Sequence, residues 1–411
     1  MQYNGFKKYA LIALLCFVAF TGNSQLKPLS IEHGESTTFK FRLFNNLVLL
    51  KGSLNGSDTL TLILDTGVKN SIILNKSIGD KLGLSYSRSV NLLGTGSDQI
   101  ISALVVDSTH LNLYGVSGSI KTLLVLEEDY LQIRESFGAD VHGILGYDIF
   151  RRFIVRIDYV NHQITFYYPS AFKESRWFTR IPMDIINGKP YIDVQVKRDK
   201  FNGYTTKLLL DLGASHSALF ELETHDSLAL PDKHISCNLG RGLGGDIAGY
   251  KARVKYLAID EFHIEDAIVS YTHPYIHIKD SSDIYRHGTV GAEIFTRFTI
   301  IIDYFNKAVY LRKNSFFKSK FEYNMSGLDL MAKGKNLNLF YISNVAKDSP
   351  SDQAGALPGD LILSINGINT LQYDIDELQR LFHSRNKRWI RIQALRNNQI
   401  LEYKFRLKRE I

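Results

Sequence analysis

Cysteine is nearly absent from this chain, whose 411 residues contain only Cys16 and Cys237. Cys16 lies in an N-terminal segment that we expect to be removed, which leaves one cysteine, and one cysteine cannot form an intramolecular disulfide. The fold is therefore expected to depend on packing alone. Without a second cysteine nearby, Cys237 is expected to be a semi-buried apolar residue rather than a nucleophile.

Proline is also scarce, and no charge sign dominates. The chain has 8 Pro against 30 Gly, with 24 Phe and 22 Tyr, a composition that favours strands and tight turns and excludes collagen and coiled coils. The 49 Lys and Arg residues nearly balance the 42 Asp and Glu residues, so the formal net charge is only +7. Because the basic residues are scattered rather than concentrated on one face, we expect no nucleic-acid partner.

No apolar run reaches the roughly 20 residues that a membrane-spanning helix requires. The first 24 residues combine Lys7 and Lys8, an apolar run over Tyr9–Phe20 and a small-residue exit at Gly22–Ser24. This pattern predicts a signal peptide over residues 1–24, and a retained N-terminal anchor is the alternative. We therefore expect an exported protein, periplasmic or secreted, without a membrane span after signal removal.

Motifs for metals and cofactors are missing or incomplete. The 12 His residues are dispersed without paired metal-ligand spacing, which predicts no zinc site. Gly240–Gly245 fits a dinucleotide-binding glycine pattern, but the strand-like alternation that follows it is not the helix that such a site needs. We therefore expect neither a metal nor a cofactor.

The chain repeats itself once. Residues 146–161 align with residues 291–306 at an offset of 145, with nine of sixteen positions identical, and residues 60–67 align with 206–213 at an offset of 146. Two blocks that keep their spacing in this way indicate a tandem duplication. The predicted lobes span residues 40–170 and 180–313.

Each half carries the same elements. A hairpin with an Asn-Gly turn ends at an aspartate, and then come further strands, a Gly-rich tip, a short helix and a closing hairpin. The aspartates that end the first hairpins are Asp65 and Asp211, whereas Asp158 and Asp303 lie in the closing hairpins and are expected to make structural hydrogen bonds. The fold is expected to be mainly β, in two duplicated lobes.

Asp65 and Asp211 are placed to act together. Two carboxylates at equivalent points of duplicated lobes can face each other across a pseudo-twofold axis, and at close range they share one proton. One then acts as a base toward a bound water while the other acts as an acid toward the scissile carbonyl.

These residues resemble the two-lobed aspartic proteases of the pepsin and retropepsin group, over roughly Lys40 to Lys313. The resemblance is carried by Asp65–Gly67, Asp211–Gly213, Ile144–Gly146 and Thr289–Gly291. It implies that Asp65 and Asp211 are the catalytic pair of an aspartic endopeptidase acting on peptides or unfolded protein. The resemblance also implies loop-supporting residues and flap residues, which are Thr66, Gly67, Leu212 and Gly213 for the loops and Gly94, Thr95, Gly96, Gly242 and Gly244 for the flaps, with the first-lobe tip the better flap candidate.

The sequence departs from that family at Leu212 and Thr289. Leu212 stands where the family has Thr or Ser, so half of the hydroxyl lock between the loops is missing, and Thr289 stands where an aliphatic residue is usual. Val68 and Ala214 are similar to the retroviral pattern and unlike the pepsin pattern, which has Ser. The alternative function is therefore a catalytically inactive peptide-binding scaffold on the same fold.

Residues 325–408 resemble a PDZ domain of the bacterial protease type. The resemblance is carried by Ala354–Gly355, Pro358–Asp360 and Ile365–Gly367. Such α+β domains accept a peptide carboxyl terminus as an added strand, and the candidate residues for this are Gly327, Leu328, Asp329 and Leu330. A carboxylate at position 329 would repel an incoming carboxyl terminus if its side chain points inward, so a purely structural PDZ domain stays open as the alternative.

Overall fold

The computed structural model describes residues 27–94, 100–198, 203–225, 228–273 and 287–411. The predicted signal peptide and the flap residues Thr95 and Gly96 lie outside these ranges. Within them, no helix is both long enough and apolar enough to cross a membrane. The chain is mainly β, as expected, and consists of two lobes built on one plan and a C-terminal α+β domain.

The first lobe is an eleven-stranded sheet in the order β1-β10-β9-β4-β5-β12-β6-β11-β8-β7, with β3 paired to β4. The strand before the first aspartate is an apolar run whose five residues are all buried, as a central strand covered on both faces requires. The elements of this half are β1 (Ser30–Ile31), β2 (Ser36–Lys40), β3 (Arg42–Phe44), β4 (Leu47–Leu54), β5 (Leu60–Leu64), β6 (Ser71–Ile73), α1 (Lys76–Lys81), β7 (Arg88–Leu93), β8 (Ile100–Val106), β9 (Thr109–Leu113), β10 (Val116–Ile120), β11 (Leu123–Leu126), α2 (Ile133–Phe137), β12 (Gly143–Leu145), α3 (Tyr147–Phe150), β13 (Ile154–Asp158), β14 (Gln163–Tyr167) and a 3₁₀ turn (Pro169–Ala171).

The second lobe repeats this plan. Its elements are β15 (Thr179–Pro182), β16 (Asp184–Ile186), β17 (Lys189–Lys197), β18 (Gly203–Asp211), β19 (Ala218–Glu221), β20 (His234–Gly242), β21 (Gly245–Arg253), β22 (Tyr256–Ile259), β23 (Phe262–Glu265), β24 (Ile268–Thr272), β25 (Gly288–Gly291), α4 (Ala292–Phe295), β26 (Phe298–Asp303) and β27 (Ala308–Lys313). The ten strands of its sheet, in the order β23-β22-β17-β18-β25-β19-β24-β21-β20 with β16 paired to β17, match those of the first lobe except for β1, which has no equivalent. The internal repeat of the sequence is therefore a repeat of the fold.

A six-stranded sheet, β15-β27-β26-β13-β14-β2, joins the two lobes. The two closing hairpins meet in it through the antiparallel pairing of β13 with β26. Each hairpin turn is held by its aspartate, because the Asp158 and Asp303 carboxylates accept hydrogen bonds from the backbone and side-chain amides of Asn161 and Asn306 respectively. The expected structural role of this second aspartate pair is confirmed in both lobes.

The C-terminal domain is a six-stranded sheet, β28-β29-β30-β32-β33 with β31 paired to β30, and two short helices. Its buried side chains form one continuous apolar core with those of both lobes. The elements are β28 (Leu328–Lys333), β29 (Leu339–Val345), α5 (Pro350–Gln353), β30 (Leu361–Ile365), β31 (Ile368–Asn369), a 3₁₀ turn (Thr370–Gln372), α6 (Ile375–Phe382), β32 (Trp389–Arg396) and β33 (Gln399–Arg406).

Candidate active site

Two equivalent loops present the aspartates. In the first lobe β5 runs parallel to β12, and the Asp65 amide donates to the Leu145 carbonyl at 2.9 Å. In the second lobe β18 runs parallel to β25, which places Asp211 beside Gly291. The apolar-Gly elements thus lie directly behind the two loops and fix where each aspartate leaves its strand.

The two loops interlock through their glycines. A Cβ on Gly67 would lie 3.0 Å from the Asp211 carboxyl group, and one on Gly213 would overlap the carboxyl group of Asp65. Each carboxyl group therefore lies over the glycine of the opposite loop, in a space that no other residue leaves open. Each also accepts a hydrogen bond from the amide of its own glycine, at 2.6 Å for Asp65 and 2.9 Å for Asp211.

The surroundings of Asp65 favour its protonated form. Its side chain is only 7% exposed. Burial raises the pKa of Asp65 well above its ordinary value, the negative charge and hydrogen bond of Asp211 raise it further, and the Gly67 and Gly213 amides lower it. A carboxyl group that keeps its proton beside a second carboxyl group is the arrangement that holds one acid and one base in the same site.

Thr66 links the two loops. Its hydroxyl donates to the Leu210 carbonyl at 2.6 Å and accepts from the Leu212 amide at 3.0 Å, so both partners belong to the second lobe. At the equivalent position, the Leu212 side chain is 1% exposed and lies in the apolar core. The structure therefore has one hydroxyl bridge between the loops and apolar packing in the place of the other.

The residues that follow each aspartate support the loops from behind. Val68 contacts Gly146, where a Cβ would lie 2.5 Å from the Val68 carbonyl oxygen. The Ser71 hydroxyl accepts from the Gly146 amide at 3.3 Å, and the Ser217 hydroxyl donates to the Ile268 carbonyl. Both serines therefore act on the scaffold.

The two Gly-rich tips meet. A Cβ on Gly94 would lie 2.8 Å from the Gly244 amide nitrogen and 3.0 Å from the Leu243 carbonyl carbon. The first tip belongs to the β7–β8 pair and the second to the β20–β21 hairpin, which are equivalent in the two lobes. Gly242 is buried at the base of the second tip. The structure thus brings the tips of both lobes together, although the sequence favoured the first-lobe tip as the flap.

The second hairpin is also held from the side. Arg241 donates from Nε to the Tyr130 carbonyl of the first lobe at 2.7 Å, and its guanidinium pairs with Asp246 at 2.9 Å. This contact ties the β20–β21 hairpin of the second lobe to the first lobe.

Tyr304 was not singled out by the sequence. Its ring stacks on Phe150 at 5.5 Å, and its buried hydroxyl has no hydrogen-bond partner among the described residues. Burial raises the pKa of Tyr304 well above its ordinary value, and the charges of Asp65 and Asp211 raise it further. The sequence did contain a sign of its importance, because Tyr304 follows the duplicated Asp303 in the same repeat that identified the lobes.

Glu293 is a second titratable group near the site. It lies two residues after Gly291, and burial raises its pKa to about 7, although the charges of Arg297 and Lys251 lower it. Its amide donates to the His216 carbonyl, in the loop that follows Asp211, at 3.3 Å. Any pH dependence of this protein near neutrality has to be separated from the titration of Glu293.

In the C-terminal domain, Gly327 has a φ of +81° and immediately precedes the edge strand β28. Leu328 and Leu330 are buried, whereas Asp329 alternates with them and accepts a hydrogen bond from Asn344 at 2.9 Å. The Asp329 side chain is therefore on the opposite face of the strand from the two leucines.

Cys237 is half-buried, and burial raises the pKa of its thiol. A raised pKa disfavours the thiolate, which agrees with the expectation of a non-nucleophilic cysteine. Among the residues that the structure describes, no group of three or more His, Cys, Asp or Glu is arranged to hold a metal ion.

Comparison with known proteins gives a family match for part of the C-terminal domain and structural neighbours for much of the chain. Residues 341–396 match the family model of the PDZ domain. None of the curated proteins searched matches the chain. Among solved structures, the chain is similar to an aspartic proteinase from Irpex lacteus, with 10% sequence identity, a TM-score of 0.43 and coverage of 69% of this chain and 99% of that one. The C-terminal domain therefore contains a PDZ domain match over residues 341–396.

Proposed function

We propose that this chain is an exported aspartic-type endopeptidase in which Asp65 and Asp211 activate the attacking water. The observation that carries the proposal is the interlocked pair, in which each carboxyl group lies over the glycine of the opposite loop. Export rests on the signal-like composition of residues 1–24.

The pair supplies both proton transfers of peptide hydrolysis. The ionised carboxylate takes a proton from water as the water oxygen bonds to the peptide carbonyl carbon, and the protonated carboxyl group donates its proton to the carbonyl oxygen. The tetrahedral diol then returns that proton to the carboxylate as the carbonyl re-forms. The leaving nitrogen receives the proton that the first carboxylate took from water, as the C–N bond breaks. Burial and the charge of Asp211, which raise the pKa of Asp65, favour the singly protonated state that this cycle starts from.

The fold favours an extended peptide as the substrate. The tips of the two lobes meet at Gly94 and Gly244, and we infer, as in the proteases that the sequence resembles, that a substrate lies between these tips and the pair as a single strand. A folded protein does not present such a segment, whereas an unfolded protein or a peptide does. The proposed substrates are therefore unfolded proteins and peptides.

The testing experiment measures cleavage of an unfolded protein across pH in the presence of a chelator. We expect chelator-resistant cleavage with a bell-shaped profile, because only the singly protonated pair contains both an acid and a base. Since burial raises the pKa of Asp65, the alkaline limb is expected above the ordinary carboxyl range near about pH 4.

Glu293→Gln is the control for that profile. Glu293 titrates at about pH 7 through its own burial, so an alkaline limb that persists in this variant belongs to the pair, and one that disappears belongs to Glu293. A pH-independent rate, or cleavage that persists in Asp65→Asn, would refute the shared-proton mechanism. Peptide binding without any cleavage would support the inactive scaffold instead.

A further inference from the structure

In the PDZ domain, the end strand β28 has one edge that no other strand of the sheet pairs with. Another part of the same chain covers this edge. Strand β28 pairs with β29 on one side, and helix α6 lies beside its other edge. The groove between this strand and this helix has apolar walls, because Leu330, Ala332, Ile375 and Leu378 are all buried. An added peptide strand uses such an edge in PDZ domains.

The covering segment is α2 of the first lobe with the glycine that ends it. A Cβ on Gly138 would lie 2.9 Å from Cγ2 of Ile375 and 3.4 Å from Cβ of Ala332, so Gly138 contacts both walls of the groove. Arg134 adds a hydrogen bond from its guanidinium to the Lys335 carbonyl, just beyond β28, at 3.3 Å. On its other side, α2 is anchored to the first lobe by the contact of Phe137 with Phe44, whose rings are 5.4 Å apart.

The amides at the start of the groove are also satisfied from within the domain. The Ser326 amide donates to the Asn324 side-chain oxygen at 3.0 Å, and the Leu328 amide donates to the Ser326 hydroxyl at 3.0 Å. A peptide carboxylate would have to displace these acceptors as well as α2. The groove is therefore closed at both ends by groups of this chain.

The same docking reaches the flap hairpin from two directions. From the first lobe, the segment that leads into α2 contains Tyr130, whose carbonyl accepts the hydrogen bond of Arg241. From the PDZ domain, Asp329 lies close enough to Lys251 of β21 for that charge to oppose the rise of the Asp329 pKa that burial causes. In addition, Arg253 of β21 donates to the Phe321 carbonyl, ahead of the PDZ domain, at 3.4 Å.

We propose that the ligand of the PDZ groove is the chain's own α2 segment, and that this docking clamps the β20–β21 hairpin, which is the proposed flap of the active site. The domain then acts in cis on access to the pair rather than as a receptor for a free peptide. The effect on cleavage rests on the proposed function, whereas the docking and the clamp do not.

A cross-link tests the docking. Gly138→Cys with Ala332→Cys, in a chain carrying Cys16→Ala, Cys237→Ala and Ile375→Ala, places two Cβ atoms about as far apart as a disulfide requires. Ile375→Ala removes the Cγ2 atom that the new Cβ at position 138 would otherwise meet at 2.9 Å. We expect the pair to oxidise almost completely in the native protein, and neither single-cysteine variant to form an intramolecular bond. The probe is a fluorescein-labelled peptide with an apolar, free carboxyl-terminal residue, which we expect neither to bind the reduced protein nor to slow oxidation. Tight binding that slows oxidation would overturn the proposal, because the groove would then be an open receptor.

Gly138→Asn tests the clamp, and Gly83→Asn is its matched control. Both glycines have left-handed φ values, +59° and +64°, which Asn tolerates, but a Cβ on Gly83 meets nothing within 4 Å, whereas one on Gly138 meets Ile375. We expect Gly138→Asn to speed amide hydrogen exchange in residues 235–253 by about fivefold or more, and Gly83→Asn to leave it unchanged. Equal exchange in both variants would show that the contact does not hold the hairpin.

Cleavage adds a separate result. We expect Gly138→Asn to raise KM with little change in kcat, because the pair is untouched while the flap is looser. An unchanged KM despite faster exchange would refute the control of access. If no variant cleaves any substrate, the proposed function fails, while the cross-link and the exchange rates still decide the docking and the clamp.

Discussion

Asp65→Asn and Asp211→Asn are each expected to lower kcat by about a thousandfold or more, since general acid–base catalysis by a positioned group contributes up to about 10⁴-fold. The two carboxyl groups interact directly, since the charge and the hydrogen bond of Asp211 both raise the pKa of Asp65, and in the proposed mechanism they share one proton. The double variant should therefore be no slower than the slower single variant, and a multiplicative loss would show two independent roles.

Asp158→Asn is the control for this result. Asp158 is the other duplicated aspartate of the first lobe, and its carboxylate accepts hydrogen bonds from Asn161 in the turn of the closing hairpin. We expect this variant to keep kcat. Equal losses in Asp158→Asn and Asp65→Asn would assign the effect to folding and would contradict the catalytic assignment.

The same Asp65→Asn variant is expected to be more stable than the parent at neutral pH. Because the folded-state pKa of Asp65 is raised, the native protein binds its proton more tightly than the unfolded chain, so stability falls as pH rises from about 4 toward the folded-state pKa. Asparagine cannot ionise, so it removes the cost of a buried negative charge, and it keeps the shape of the side chain. The gain in Tm should be present at pH 7 and disappear below about pH 4, where both states of the parent are protonated. A gain that does not depend on pH would exclude buried charge as its cause.

Much of the fold could be predicted from the sequence because the sequence is duplicated. Identical residues in the closing hairpins and matched spacing before each aspartate set the strand order of both lobes, since each copy buries the same pattern against the same neighbours. The aspartate loops follow, because Gly67 and Gly213 are the residues that leave space for the opposite carboxyl group. Local patterns are enough where a residue's partners lie in its own repeat.

Contacts between the two lobes, or between a lobe and the PDZ domain, could not be predicted from local sequence patterns. Nothing local in Gly138 indicates that it meets Ile375 in the PDZ domain, or in Tyr130 that it accepts a hydrogen bond from Arg241. These contacts join residues that are more than a hundred positions apart and occur once each, so neither periodicity nor repetition marks them. Tyr304 is intermediate, since the repeat contains it but only tertiary packing brings it near the pair.

The bridge between the catalytic loops leads to the second large effect. Thr66→Val keeps the shape of the side chain but removes the hydroxyl, which leaves the Leu212 amide and the Leu210 carbonyl without their partner at a buried site. Each unsatisfied group costs about 1–3 kcal/mol. We therefore expect the free energy of unfolding of the lobes to fall by about 2–4 kcal/mol, and kcat to fall with it because the two aspartates lose their fixed spacing.

Thr66→Ser keeps the hydroxyl and is the matched control, with stability and kcat expected near those of the parent.

Leu212→Thr tests the other half of the interface. A threonine there gains at most the ~1 kcal/mol of one hydrogen bond, while it loses buried apolar surface and leaves a cavity that together cost about 2 kcal/mol or more. Because Leu212 is 1% exposed in the core, the change should be destabilising. If Leu212→Thr stabilises the protein, the second loop has kept the geometry of a hydroxyl bridge, and if Thr66→Val is harmless, apolar packing alone holds the two loops together.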